Sequence, residues 1–246
     1  MKRLLILGGT ADAVELAKQA HKIQGLKTIY SLAGRTQTPN TPKCDVRIGG
    51  FGGAPGLRTY LNKNAIDFVI DATHPFATII TNNIINVCAK TNIPLLKYCR
   101  KKWIPGDISW TSVNSYSEAA QEICVTDTRI FLSIGTKLLD QFSSHSEKWF
   151  LIRTIEKPDL QIPLKNYEVL VERGPFDIKH EIELLISYQI NLLICKNSGG
   201  NPPTKLRAAH NLGIKILMIE QPTFCNVNVV YDIANSVAWI YDELRT

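Results

Sequence analysis

Along its whole length the chain alternates short runs of consecutive apolar residues with stretches whose apolar residues recur at helical spacing. Runs such as 3–7 (RLLIL), 67–71 (DFVID) and 191–195 (NLLIC) show no polar alternation, so both faces of each strand need cover. Strands of that kind belong to a parallel sheet packed between helices. Between the first two runs, Val14, Leu16, Ala17, Ala20 and Ile23 mark one face of a helix over 12–24. Further strands are expected at 27–32, 46–48 and 94–97, and further helices around 57–61 and over 76–89. The segment 100–107 (RKKWIPGD) breaks this rhythm and is the expected junction. After it, strands are expected at 110–113, 129–134, 150–154, 168–171, 191–195 and 215–219, with helices at 117–123, 177–187, 204–212 and 232–244. The fold class is therefore α/β, with two Rossmann-like parallel-sheet lobes. A nucleotide-binding lobe is expected over 1–103 and a second lobe over 104–246. The last helix, about 230–244, is free to pack on either. The halves share no convincing sequence repeat.

Hydrophobic residues make up 45% of the 246 and charged residues 20%, which is enough for sizeable cores and excludes a mostly disordered chain. No apolar run approaches the roughly 18–20 residues of a membrane span. The opening MKRLLILGG carries too short an apolar stretch for a signal peptide, so a cytoplasmic location without membrane association is expected. The six cysteines and five histidines form no C-x-x-C or H-x-x-x-H pattern, so reduced thiols and no metal site are expected. The net charge of +6 is dispersed, apart from Arg100-Lys101-Lys102. Nucleic-acid binding has no motif behind it and is not expected, whereas an anionic small molecule suits this balance.

Five segments carry the chemistry. Gly8-Gly9-Thr10-Ala11-Asp12-Ala13 follows the first strand and opens the first helix, where free amides and the helix dipole favour a pyrophosphate. It is an incomplete G-x-G-x-x-G, with Ala13 in the last position, and a bare Gly-Gly turn is common in such folds. The second strand ends in Gly34-Arg35-Thr36 with no acid to take ribose hydroxyls; a guanidinium there suits the 2′-phosphate of NADP, although a lone loop arginine is most often only surface. Gly49-Gly50-Phe51-Gly52-Gly53 places four glycines in five residues around an aromatic, which points to a ligand-contacting loop rather than a linker. In Asp71-Ala72-Thr73-His74-Pro75-Phe76-Ala77, Thr73 is the expected N-cap with Pro75 in the first helical turn. His74 there is either an acid–base group or a half-buried structural histidine. Lys196-Asn197-Ser198-Gly199-Gly200 with Lys205 forms the equivalent site of the second half, suited to a carboxylate or phosphate, against the plain reading of a strand-to-helix loop. Similar glycine-bearing strand ends recur at Ser133-Ile134-Gly135-Thr136 and Glu172-Arg173-Gly174-Pro175-Phe176. A nucleophile elbow and a Walker loop are both missing, so hydrolase and kinase readings lack their machinery.

In this order the motifs ILGGT (6–10), SLAGRT (31–36), GGFGG (49–53), DATHPFA (71–77), ERGPF (172–176), KNSGG (196–200) and TKLRAA (204–209) resemble the precorrin-6A reductase family of cobalamin (corrin) biosynthesis. The resemblance spans most of the chain. It implies two Rossmann-like lobes with a cleft between them, and reduction of one macrocycle double bond of precorrin-6A, or its cobalt form, to precorrin-6B. It implies hydride from a nicotinamide cofactor, with Arg35 favouring NADPH over NADH. Implied partners are the anionic tetrapyrrole and, for transfer, neighbouring enzymes of the pathway. Asp12 departs from the Glu expected in many members and keeps the charge at the helix start. Under this resemblance Gly8, Gly9, Thr10, Ala11, Gly34, Arg35, Thr36, Gly50, Phe51, Gly52, Thr73 and His74 are cofactor-binding. Phe76, Ser133, Arg153, Arg173, Lys196, Ser198, Gly199, Gly200 and Lys205 meet the polyacidic substrate. His74 is the one side chain offered for the proton that follows the hydride, with solvent as the alternative. The competing reading is a non-redox nucleotide- or sugar-nucleotide-binding regulatory module, which needs the Gly8-Gly9 turn but not GGFGG.

Overall fold

The computed structural model describes residues 1–34, 40–158 and 161–245. In chain order the elements are β1 (Lys2–Leu7), α1 (Ala11–His21), β2 (Leu26–Leu32), β3 (Asp45–Ile48), α2 (Gly53–Lys63), β4 (Phe68–Asp71), α3 (Thr78–Thr91) and β5 (Leu95–Tyr98). There follow β6 (Thr111–Val113), α4 (Tyr116–Gln121), β7 (Arg129–Ser133), a 3-10 turn (Leu139–Phe142), β8 (Trp149–Thr154), β9 (Tyr167–Val171), α5 (Ile178–Ser187) and β10 (Leu192–Lys196). The chain ends with α6 (Thr204–Asn211), β11 (Lys215–Ile219), β12 (Asn228–Val230) and α7 (Ile233–Arg245).

Two compact units result: Met1–Lys101 with Pro222–Thr246, and Lys102–Gln221. The first holds a sheet of order β12-β5-β4-β1-β2-β3 and the second a sheet of order β6-β11-β10-β7-β8-β9, with every pairing parallel. Counted from the central strand outward, the two orders are the same. The sixth place is filled unexpectedly in each. β6 follows β5 in the chain but pairs with β11, and β12 follows β11 but pairs with β5. β12 is a three-residue strand absent from the expected elements, because Asn-Val-Val is too short to carry a period. The final segment therefore belongs to the first unit, where Ile240 is fully buried and Trp239 stands edge-on to Phe68, with ring centroids 5.7 Å apart.

The apolar runs work as two-faced strands. In β1, Leu4 and Ile6 join the core under α1 and α7, whereas Leu5 and Leu7 join the one under α2 and α3. In the second unit Phe131, Leu151, Leu193 and Met218 pack beneath Leu184 and Leu185 of α5 and Leu206 and Ala209 of α6. Burial of such side chains stabilises by about 1.5–3 kcal/mol each. Two expected helix starts shift. α2 begins at Gly53, so the last glycine of GGFGG enters the helix. α3 begins at Thr78 with Ala77 as its N-cap, not at Thr73. The reason is local: the Thr73 hydroxyl donates to Asp71, and residues 74–77 close a separate turn, with Ala77 N–H donating to the His74 carbonyl.

Candidate active site

The first unit reverses its strand order between β1 and β4, and ligands of open α/β sheets bind at such a switch point. Thr10 bridges it. Its hydroxyl accepts from the Ala13 amide (3.1 Å), capping α1, and donates to the Ala72 carbonyl (3.2 Å). A side chain on Gly8 would stand 2.2 Å from the Tyr30 ring, and the Gly9 amide donates to the Tyr30 hydroxyl (3.0 Å). The two glycines therefore shape the turn around Tyr30. The donors left for a ligand are the first-turn amides of Ala11 and Asp12, which have no partner inside the helix. Gly9, at φ +118°, has open space where a side chain would stand. These features fit the diphosphate of a dinucleotide. Asp12 would oppose that anion, but its carboxylate is engaged by Arg100 Nε (2.6 Å) and the Tyr98 hydroxyl (2.9 Å). Burial alone would raise the Asp12 pKa; the hydrogen bonds from Arg100 and Tyr98 outweigh it and hold the carboxyl below its usual value. Thr10, Ala72, Thr73, Pro75, Tyr98 and Arg100 line a small pocket at these strand ends.

Beneath DATHPFA lies a pair that sequence reading missed. Lys97 Nζ is 3.2 Å from Asp71 Oδ2, with side-chain exposures of 0% and 1%. Asp71 also accepts from Thr73 N (3.0 Å), Thr73 Oγ1 (2.6 Å) and Thr81 Oγ1 (2.6 Å), while Lys97 donates to the Thr73 carbonyl (3.2 Å). The charges cancel, and the network fixes the backbone that carries His74. His74 Nδ1 accepts the Phe76 amide (3.2 Å), so in the neutral ring the proton sits on Nε2. The available signal was a lysine inside the apolar run PLLKY, which demands a buried partner.

The GGFGG loop is held by Arg47, also missed. Its guanidinium donates to Ser31 Oγ (3.1 Å), Gly49 O (2.7 Å) and Gly50 O (2.9 Å) and lies 3.8 Å from the Phe51 ring centroid. Phe51 stands edge-on to Tyr60 at 5.2 Å and is partly buried, so part of its expected ligand surface is packing. Gly34, two residues past the end of β2, sits at φ +77°, with Ile48 3.1 Å from where its side chain would stand. Arg35 and Thr36 lie outside the described residues.

In the second unit the carboxyl ends of β10, β7, β8 and β9 are neighbours. They bring Ser133, Lys196 and Lys205 together: Lys196 donates to the Ile134 carbonyl (2.6 Å) and Lys205 to the Ser133 hydroxyl. Burial, with repulsion from Lys205 and Lys137, pushes Lys196 down to about 8, and burial lowers Lys205 as well. Between them in sequence, Ser198 donates to the Lys196 carbonyl (3.4 Å), and Gly199 and Gly200 turn at φ +69° and +79°. The fully buried Asn197 clasps the Trp103 backbone in both directions at 2.8 Å, and the Trp103 indole donates to the Gly200 carbonyl (2.8 Å). Arg173 is exposed at the tip of its loop. Arg153, expected to reach the substrate, is instead 9% exposed and forks onto Glu181 with bonds of 2.8 and 2.7 Å. Among the described residues no helix is long and apolar enough to cross a membrane, and no group of three or more His, Cys, Asp or Glu is placed to hold a metal.

The family profile described as "Precorrin-6x reductase CbiJ/CobK" matches residues 3–241. A precorrin-6A reductase of Rhodococcus erythropolis is 41% identical over 244 residues, covering 98% of either chain. One of Rhodobacter capsulatus is 36% identical over 249 residues, covering 100% of this chain and 98% of its own. A solved structure titled "CobK precorrin-6A reductase" superposes with a TM-score of 0.89 at 36% identity, over 99% of this chain and 97% of that one. With this fold and a match from end to end, the chain belongs to the precorrin-6x reductase family.

Proposed function

We propose that the chain reduces one double bond of the precorrin-6A macrocycle, giving precorrin-6B in cobalamin biosynthesis, with NADPH as reductant. The β1–α1 turn carries the reading: at the switch point of a parallel sheet it leaves two helix amides and an open glycine face for a diphosphate. Bound there, a reduced nicotinamide supplies the hydride. Thr10 fixes the turn, Arg100 neutralises Asp12 beside the phosphates, and the Asp71–Lys97 network holds Thr73 and His74 in place. Arg47 sets the backbone of the glycine-rich loop against the nucleotide. His74 is assigned to protonate the reduced macrocycle in competition with water, acting from its imidazolium form, in which Nδ1 is also protonated and gives up the Phe76 amide so that loss of the Nε2 proton leaves the neutral ring.

The substrate carries many carboxylates, and the second unit meets them with Lys196, Lys205, Arg173 and the amides of Ser198, Gly199 and Gly200. Lys196 is held by the Ile134 carbonyl and Lys205 by the Ser133 hydroxyl. Phe76 offers an apolar face on the first unit.

The test is NADPH oxidation by the purified chain with metal-free and with cobalt-containing precorrin-6A. No oxidation with either would leave the nucleotide-binding regulatory reading in its place. The preference for NADPH rests on Arg35. Arg35→Ala is expected to weaken NADPH binding about tenfold, as read by nicotinamide fluorescence, and NADH binding far less. Equal losses would remove the preference.

A further inference from the structure

Arg153 stands near the end of β8, beneath the loop 172–176 (ERGPF) that follows β9. Its two Nη groups fork onto the buried carboxylate of Glu181 on α5 at 2.8 and 2.7 Å, which fixes the plane of the guanidinium. That plane lies against two aromatic rings, 4.8 Å from the Phe131 centroid and 4.2 Å from that of Phe176. Its Nε edge is buried without a hydrogen-bond partner and stands 3.7 Å from Glu172 Oε2. His180 reaches the same two loop residues. Its Nε2 is 3.3 Å from Glu172 Oε2, and its ring stacks on Phe176 at 5.2 Å and 11°. Glu172 and Phe176, the two ends of a five-residue loop, are thus each gripped by Arg153 and His180, and Phe176 is further tied by its carbonyl to Thr204 Oγ1 (2.8 Å). A side chain on Gly174 would meet the Phe176 ring at 3.2 Å, so a larger residue there would push that ring aside by a few tenths of an ångström. Between the gripped ends, Arg173 is exposed.

A buried Arg–Glu pair adds little net stability, because desolvation offsets the Coulomb attraction. What this one supplies is a fixed platform under the loop. We infer that Arg153 is a positioning residue for substrate binding, acting through Glu172 and Phe176 to hold the 172–176 loop so that Arg173 meets a carboxylate of the macrocycle. The inference rests on the proposed reading of Arg173 as a substrate contact.

The experiment is a double-mutant cycle on substrate KM with Arg153→Lys, Arg173→Ala and the pair, alongside kcat and NADPH affinity. Lysine keeps the charge at the buried site but loses the planar fork and stack. Arg173→Ala is expected to raise KM about tenfold. Arg153→Lys is expected to raise it by a similar factor, with NADPH affinity unchanged. The pair is expected to be no worse than Arg173→Ala alone, since a loop that has lost its arginine gains nothing from being held. Factors that multiply would overturn the inference. An unchanged KM in Arg173→Ala would instead overturn the reading of the loop as a substrate contact. Phe176→Leu, which leaves the Arg153–Glu181 fork intact, supplies the same cycle should Arg153→Lys fail to fold, with the same non-additivity expected and multiplying factors again overturning it.

Discussion

The two units share one strand order and carry opposite electrostatics at the same edge. In the first, the last residue of the fourth sheet strand in chain order is Asp71, and its cation, Lys97, is on the adjacent strand at full burial. In the second, the strand in the same place of the sheet ends in Lys196, which donates to the Ile134 carbonyl, and Lys205 beside it donates to the Ser133 hydroxyl. One edge is closed electrically, so it offers a ligand amides, hydroxyls and shape. The other presents two lysines, the groups proposed to meet the carboxylates of the substrate. Topology placed both edges, but side chains at strand ends decided what each receives, which is why a fold alone says little about function.

The largest expected consequence lies at the closed edge. Lys97→Met leaves Asp71 as a buried carboxylate without its cation, a change that costs about 3–5 kcal/mol. Urea unfolding of the full chain should show a markedly lower midpoint. Adding Asp71→Asn should restore most of it, because a neutral side chain still bonds Thr73 and Thr81 there. If the double variant is no better than the single, the pair is not what closes this edge.

The open edge should answer in the reverse sense. The folded pKa of Lys196, about 8, lies below the unfolded value of 10.5, so between those values the unfolded chain holds a proton that the folded chain has lost. Stability from this group therefore rises with pH across that window, and below it the buried charge is a cost. Lys196→Met should thus be no less stable than the wild type at pH 7, with any gain gone by about pH 10.5. Its kcat/KM for the macrocycle should fall about tenfold at neutral pH. In the wild type, kcat/KM should decline as pH rises through about 8, a step the variant lacks. A lower unfolding midpoint in Lys196→Met at pH 7 would show that the two edges are alike after all.

This contrast was only half legible in the sequence. Apolar runs and glycine-bearing strand ends located both edges, because burial on two faces and tight βα turns leave direct marks on composition. The groups that tune the edges did not show. Tyr30, Lys97, Tyr98 and Arg47 sit on strands and act across to neighbouring elements, so their partners are remote in sequence. Glu181 meets its partner Arg153 from 28 residues away, which no local pattern marks. The exchange of β6 and β12 was equally hidden, since each strand pairs away from its chain neighbour and β12 is too short to show a period.

The loops after the edge strands β3 and β9 give the finest comparison. Both set a phenylalanine beneath a guanidinium, Phe51 under Arg47 at 3.8 Å and Phe176 under Arg153 at 4.2 Å. Their glycines differ. Gly174 is hemmed in by Phe176, so alanine there should strain the loop. Gly50 has nothing within 4 Å of where a side chain would stand, and no positive φ calls for glycine. Neither a close neighbour nor a positive φ requires glycine there, and the proposed approach of the nucleotide to this backbone is the reading to test. Gly50→Ala should therefore leave the unfolding midpoint nearly unchanged, within about 0.5 kcal/mol. NADPH binding, followed by fluorescence titration, should weaken a few-fold, because a methyl group would occupy space the nucleotide needs. If Gly50→Ala binds NADPH as the wild type does, the glycine-rich loop is only a rigid connection, and contact with the nucleotide must come from the β1–α1 turn alone.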